Sequence, residues 1–203
     1  HFNQPPPLIL FYLITSLLAC YLVVEYIVFS RSRYTVTADD GFAWVHFIHG
    51  SYPKSACIDQ RKRVGGLLGG HVEIEIDKLV YGFEYGDPNR IHIFPRKALA
   101  SCNLKFTLKQ QSEWLTETLN DKITSIRIPL EASKKQNLIR ILQSHQQVPP
   151  YDYAFFGMRC ASSTYEDLAL AGILPRKSRL QCIVNAFYPR QLRQRMLRWA
   201  KYN

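Results

Sequence analysis

The sequence predicts an α+β domain behind a single N-terminal membrane-spanning helix. Three features point there. A long apolar run occupies Leu8 to Phe29, short segments of two-residue alternation follow between residues 42 and 130, and helical periodicity takes over from Glu131. Of the 203 residues, the roughly 170 outside the run suffice for one cored domain and not two. A multi-domain enzyme, a polytopic transporter and a disordered chain are thereby excluded.

The run LILFYLITSLLACYLVVEYIVF would form a helix of about 33 Å, against a hydrocarbon core of about 30 Å. Its one charge, Glu25, lies near the C-terminal end, where it can reach the interface. Leu17-Leu18-Ala19-Cys20 resembles a lipoprotein-processing box, but the run continues past Cys20, which favours a retained anchor. Residues 1–33 are therefore read as tail and anchor, and residues 34–203 as one domain. Arg31 and Arg33 follow the span and, on the positive-inside rule, vote for a cytoplasmic domain.

Phe42 to His49 alternates and reads as a strand. Ser51 to Gly70 is a basic, glycine-rich loop without the spacing of a phosphate-binding loop. His71 to Asp77 alternates strictly. Val72, Ile74 and Ile76 fall on a core face, while His71, Glu73, Glu75 and Asp77 look to solvent or a site. Leu79 to Tyr85 and Ile91 to Phe94 read as strands around the turn Gly86-Asp87-Pro88-Asn89. A short helix around Ser112 to Leu119, a strand from Ile123 to Leu130 and a helix from Glu131 to Ser144 follow, the last ended by Val148-Pro149-Pro150. Ala161 to Gly172 reads as a helix with Cys160 at its start, and Tyr188 to Tyr202 as a basic terminal helix.

A thiol at a helix N-terminus meets the positive end of the dipole and free backbone N–H groups, which favour thiolate. A histidine beside it would serve as base and acid. His71 is the candidate, with Glu73 from the same strand face to orient it and His92 competing for that role. The plain alternative is that Cys160 is a small buried hydrophobe. Cys57, Cys102 and Cys182 have no such context, and no CxxC or HExxH spacing suggests a metal or other cofactor. The formal charge of +10 suits phosphates of nucleic acid or of lipid head groups. Dispersed cations and the absence of an RNP, zinc-finger or helix-turn-helix pattern argue against nucleic acid.

Gly69-Gly70-His71-Val72-Glu73-Ile74-Glu75, followed much later by Tyr151-Asp152-Tyr153-Ala154-Phe155-Phe156-Gly157-Met158-Arg159-Cys160-Ala161, resembles the circularly permuted papain-like fold. In that NlpC-type superfamily, which includes lecithin:retinol acyltransferase-like enzymes, histidine precedes cysteine. The aromatic lead-in, the small residues after the cysteine and Glu166-Asp167-Leu168 resemble more narrowly the Lnb-type bacterial lipoprotein N-acylation enzymes. Arg159 stands where that pattern has asparagine.

The resemblance implies an antiparallel sheet packed on helices, with Cys160 as nucleophile and His71 as its base. It also implies an acyltransferase that passes an acyl chain from a lipid ester through a Cys160 thioester to an amine such as a lipoprotein N-terminus. Partners would be membrane lipid and lipoprotein, the catalytic domain lying on the extracytoplasmic face of a bacterial inner membrane. Tyr151 or Tyr153 would assist the oxyanion, and Phe155, Phe156 and Met158 would wall the acyl chain. Arg193, Arg195, Arg198 and Trp199 would rest on anionic head groups. Two other readings stay open on the same residues: a cysteine amidase or peptidase acting on cell-wall peptide, and a non-enzymatic membrane assembly protein.

Overall fold

The computed structural model describes residues 7–32, 41–49, 70–85, 92–96, 101–107, 109–110, 113 and 123–203. They form an α+β fold with a five-stranded antiparallel sheet and five helices among the described residues. Helix α1 spans Pro7–Arg31. Strands β1 (Phe42–His49), β2 (Gly70–Ile76), β3 (Leu79–Tyr85), β4 (Ser101–Thr107) and β5 (Ile123–Pro129) follow. Helices α2 (Ala132–Gln147), α3 (Cys160–Leu170), α4 (Arg179–Asn185) and α5 (Pro189–Ala200) complete the order. The sheet runs β4-β3-β2-β1-β5, so the alternating segments meander from β1 to β4 and β5 returns to the far side of β1.

Register places Val72 and Ile74 of β2 opposite Phe47 and Val45 of β1, and Val45 opposite Ile126 of β5. These side chains meet Leu138 and Leu142 of α2, Ala161, Tyr165 and Leu168 of α3, and Leu192 and Met196 of α5 in one core. At about 25 cal/mol per Å² of apolar surface, such burial is the main force holding sheet to helices. The β2–β3 hairpin turns through Asp77 and Lys78, both with positive φ (50° and 63°). Such a two-residue turn matches the twist of the strands, and aspartate tolerates the conformation better than most residues. Asp77 thus leaves the polar strand face on which the alternation put it and pairs with Lys135 at 2.6 Å.

Three further departures have local causes. Ile91 to Phe94 does not make a strand in its described part. His92 forms an isolated parallel bridge with Ala154, while Phe155 and Phe156 donate backbone N–H groups to His92 and Ile93. β4 was not anticipated, although Cys102, Leu104 and Phe106 alternate. α4 begins at a reciprocal cap: Gln181 N–H donates to Ser178 Oγ, and Ser178 N–H donates to Gln181 Oε1. The loop 51–69, the turn 86–89, Arg33 and most of the helix expected at 112–119 lie outside the described residues.

α1 is long and apolar enough to cross a membrane, and its residues from Ile9 to Cys20 are exposed throughout. Its last turns are not a linker. Phe29 is buried and its ring lies 5.9 Å from that of Tyr165. Glu25 pairs with Lys177, Tyr26 lies beneath the guanidinium groups of Arg195 and Arg198, and Asn203 donates to Ser32 O. The predicted anchor and the predicted domain therefore share one core.

Candidate active site

Cys160 is the first residue of α3, and the helix start is built locally. Ser162 Oγ accepts the Arg159 N–H at 2.8 Å and donates to the Arg159 carbonyl, while Ser163 N–H begins the intrahelical ladder on that carbonyl. The first N–H groups of a helix have no partner within it, which leaves donors at the turn that carries the thiol. α3 packs on β2 and β3, and Cys160 meets His71 at the head of β2 in a hydrogen bond. Both are buried.

Burial alone would suppress both charges. It is outweighed at His71 by the hydrogen bond and charge of Cys160 and by the carboxylates of Glu73 and Glu84, which together push the imidazole up to about 10. At Cys160, burial is likewise outweighed by the hydrogen bond and charge of His71, then by Arg159 and the Tyr153 hydroxyl, so the thiol is driven down. Both shifts favour thiolate and imidazolium over the neutral pair, the direction a nucleophilic cysteine requires.

Glu73 was expected to orient His71, and its carboxylate lies 3.5 Å from His71 Nε2. It is 1% exposed, so the polar face of β2 looks into the site and not at water. Glu84 of β3 adds a second carboxylate at 3.6 Å, which sequence reasoning missed because it arrives from the neighbouring strand. With Nε2 turned to these groups, Nδ1 is the ring nitrogen left for the thiol. Each of the three side chains offers a donor atom within 4.8 Å of the others, a set with cation-holding spacing. In the ion-paired state the imidazolium is that cation, and it has no lone pair to give a metal.

Gly82 is the other missed residue. A Cβ there would fall 3.1 Å from His71 Nε2 and 3.3 Å from Glu73 Cγ. Its signal was a glycine inside a strand, a mark of close approach.

Of the two tyrosines, Tyr153 reaches the thiol, its hydroxyl 4.0 Å from Sγ and kept protonated by burial and by the charge of Cys160. Tyr151 does not; it donates to Ser163 Oγ at 2.8 Å. His92 is no orienter of His71 and instead pairs with the buried Asp152 at 3.0 Å.

Phe155 and Phe156 are exposed, stacked edge to face at 4.8 Å and continued by Phe94 and Phe187. Met158 is buried with Phe83 and Tyr151, so it belongs to a satellite core and not to an open wall. Arg159 is clamped among the rings of Phe155, Phe187 and Tyr188 at 4.8–5.3 Å.

The terminal helix corrects an expectation. Trp199 is 2% exposed and Arg195 1%, both turned into the core, so neither rests on a membrane surface. Arg198 stays exposed over Tyr26, and Arg193 is half-buried.

The chain matches no family model, no curated protein and no solved structure.

Proposed function

We propose that the chain is a membrane-anchored cysteine acyltransferase that moves an acyl chain from a lipid ester to an amine. The observation that carries this reading is the buried pairing of Cys160 with His71 at the start of α3, each favouring the other's charged form. The sulfur attacks the ester carbonyl carbon, and the carbonyl electron pair moves onto oxygen, facing the free N–H groups of the helix start. Collapse breaks the C–O bond. His71 gives its proton to the departing alkoxide, leaving a Cys160 thioester and a neutral imidazole. An amine then attacks the thioester, His71 takes the amine's proton, and collapse of the second tetrahedral species releases the thiolate and an amide.

Resemblance supplies the substrates: the donor is a lipoprotein diacylglyceryl group or phospholipid, and the acceptor the α-amino group of a lipoprotein N-terminal cysteine. An apolar anchor and a net charge of +10 suit a substrate held in an anionic membrane. On the same resemblance the domain works on the extracytoplasmic face of a bacterial inner membrane.

The test is intact-mass analysis of the purified protein after incubation with phospholipid vesicles or a diacylated lipopeptide. An acyl-sized increment is expected on the parent chain and not on Cys160→Ala, with N-acylated lipopeptide as product. An increment that survives Cys160→Ala overturns the proposal, as does cleavage of a cell-wall peptide amide without any acyl transfer.

A further inference from the structure

The grip of the domain on α1 sets how deep the domain sits. Among the described side chains of α1, the stretch clear of the domain on every side is Ile9–Cys20, which rises about 18 Å, against a hydrocarbon core of about 30 Å. From Tyr21 to Ser30 one side of the helix is covered by α4 and α5, while Val23, Val24 and Val28 on its other side remain exposed. If α1 spans a bilayer, its covered turns must therefore also lie in lipid, their valines against acyl chains. The parts of α4 and α5 that hold Glu25 and Tyr26 come to the same depth.

The two most exposed large apolar side chains of those helices lie close in sequence to residues that hold these turns. Leu180, 71% exposed, follows closely on Lys177, the partner of Glu25. Leu197, 47% exposed, precedes Arg198, which covers Tyr26. Exposed cations, Arg176, Arg198 and Lys201, accompany them. An apolar pair with basic neighbours at the level of an interfacial helix end has the chemistry to enter a leaflet of anionic lipid.

We propose that the α4–α5 face is immersed in one leaflet, Leu180 and Leu197 reaching the upper acyl region while the neighbouring cations meet head-group phosphates. The surface differs from the one expected on the terminal helix, whose Trp199 and Arg195 point inward. The inference rests on α1 as a span and not on the acyl-transfer chemistry.

The test uses the full chain in vesicles of phosphatidylcholine and phosphatidylglycerol, with Cys20, Cys57, Cys102 and the reactive Cys160 replaced by serine and the buried Cys182 kept. A nitroxide is placed in turn at Leu180→Cys, Leu197→Cys, Leu17→Cys and Gln143→Cys. Gln143 is an exposed site on α2, and collisions with oxygen and with a water-soluble nickel chelate are compared. Labels at 180 and 197 are expected to show an oxygen-to-nickel ratio several-fold above that at 143. A buried label at 17 with aqueous labels at 180 and 197 overturns the immersion and leaves the span standing. Aqueous labels at all of these sites overturn both. Labels at 180 and 197 shielded from both quenchers mean that protein covers the face, which also overturns the proposal.

Discussion

Gly82 makes room for His71: a single added methyl would sit 3.1 Å from the imidazole Nε2, closer than side chains ordinarily pack. The strand neighbour thus sets where the ring can lie, and through the ring where the thiol finds its proton partner. Gly82→Ala is expected to leave the fold intact while lowering kcat/KM by about 10²-fold, the scale of a small misplacement of a reacting group. Circular dichroism alongside steady-state kinetics checks both halves, and an unchanged rate would show that the ring is not held from this side.

The ion pair predicts a pH profile. Thiolate is present above the lowered pKa of Cys160, and imidazolium is present below about 10 at His71. Alkylation of Cys160 by iodoacetamide should therefore set in at lower pH than that of an ordinary thiol. In His71→Gln the acid limb of that rate should move up, because the hydrogen bond and charge that offset burial are gone. An unmoved limb would mean that Arg159 or the helix start, and not His71, holds the thiolate.

For Glu73 the sign runs the other way. Its carboxylate is among the groups that raise His71, so Glu73→Gln should bring the alkaline limb of activity down from about 10. Glu84 continues to face Nε2 at 3.6 Å, so the limb should fall further in the double variant, while Cys160 still holds it above that of a free histidine. Activity against pH for the two single variants and the double variant tests this.

Glu25 and Lys177 make an ion pair with both side chains largely covered. Removing one partner strands the other charge, a loss of about 3 kcal/mol for a covered pair. Glu25→Leu with Lys177→Met should recover most of that loss. Denaturant unfolding of the two singles and the double, in the same detergent, reads the cycle; additive losses would show that the residues do not interact.

Trp199→Ala is expected to cost about 3–5 kcal/mol of stability, as for a large aromatic removed from a core. A residue lying on a lipid surface would instead lose membrane affinity with little change in unfolding, so parallel flotation and thermal-melt assays separate the two roles.

Much of the fold was legible because its cues are local. β2 alternates, α2 is ended by Val148-Pro149-Pro150, and Cys160 falls at the first turn of α3 as the reading of that segment required. α4 is short, and its only cue is the cap between Ser178 and Gln181. The pairing of Cys160 with His71 was read from a thiol at a helix start and a histidine on a polar strand face, and motif resemblance then supported it. Glu84 and Gly82 depend on which strand lies beside β2, information that no periodicity within β3 contains. Trp199 failed for a related reason. A helix with arginines around it and one apolar stripe fits a lipid surface and a protein core equally well, and only its partner, the end of α1, decides.

That partnership also orders the birth of the protein. Ser32 at the end of α1 and Asn203 beyond α5 are 171 positions apart yet bonded, and Phe29 shares a core with Met196 and Trp199. The end of α1 has to wait for α5, made much later, before its final turns are fully covered. Contacts so distant in sequence form late and slowly, so a nascent chain holds its anchor's inner face open until α5 has left the ribosome.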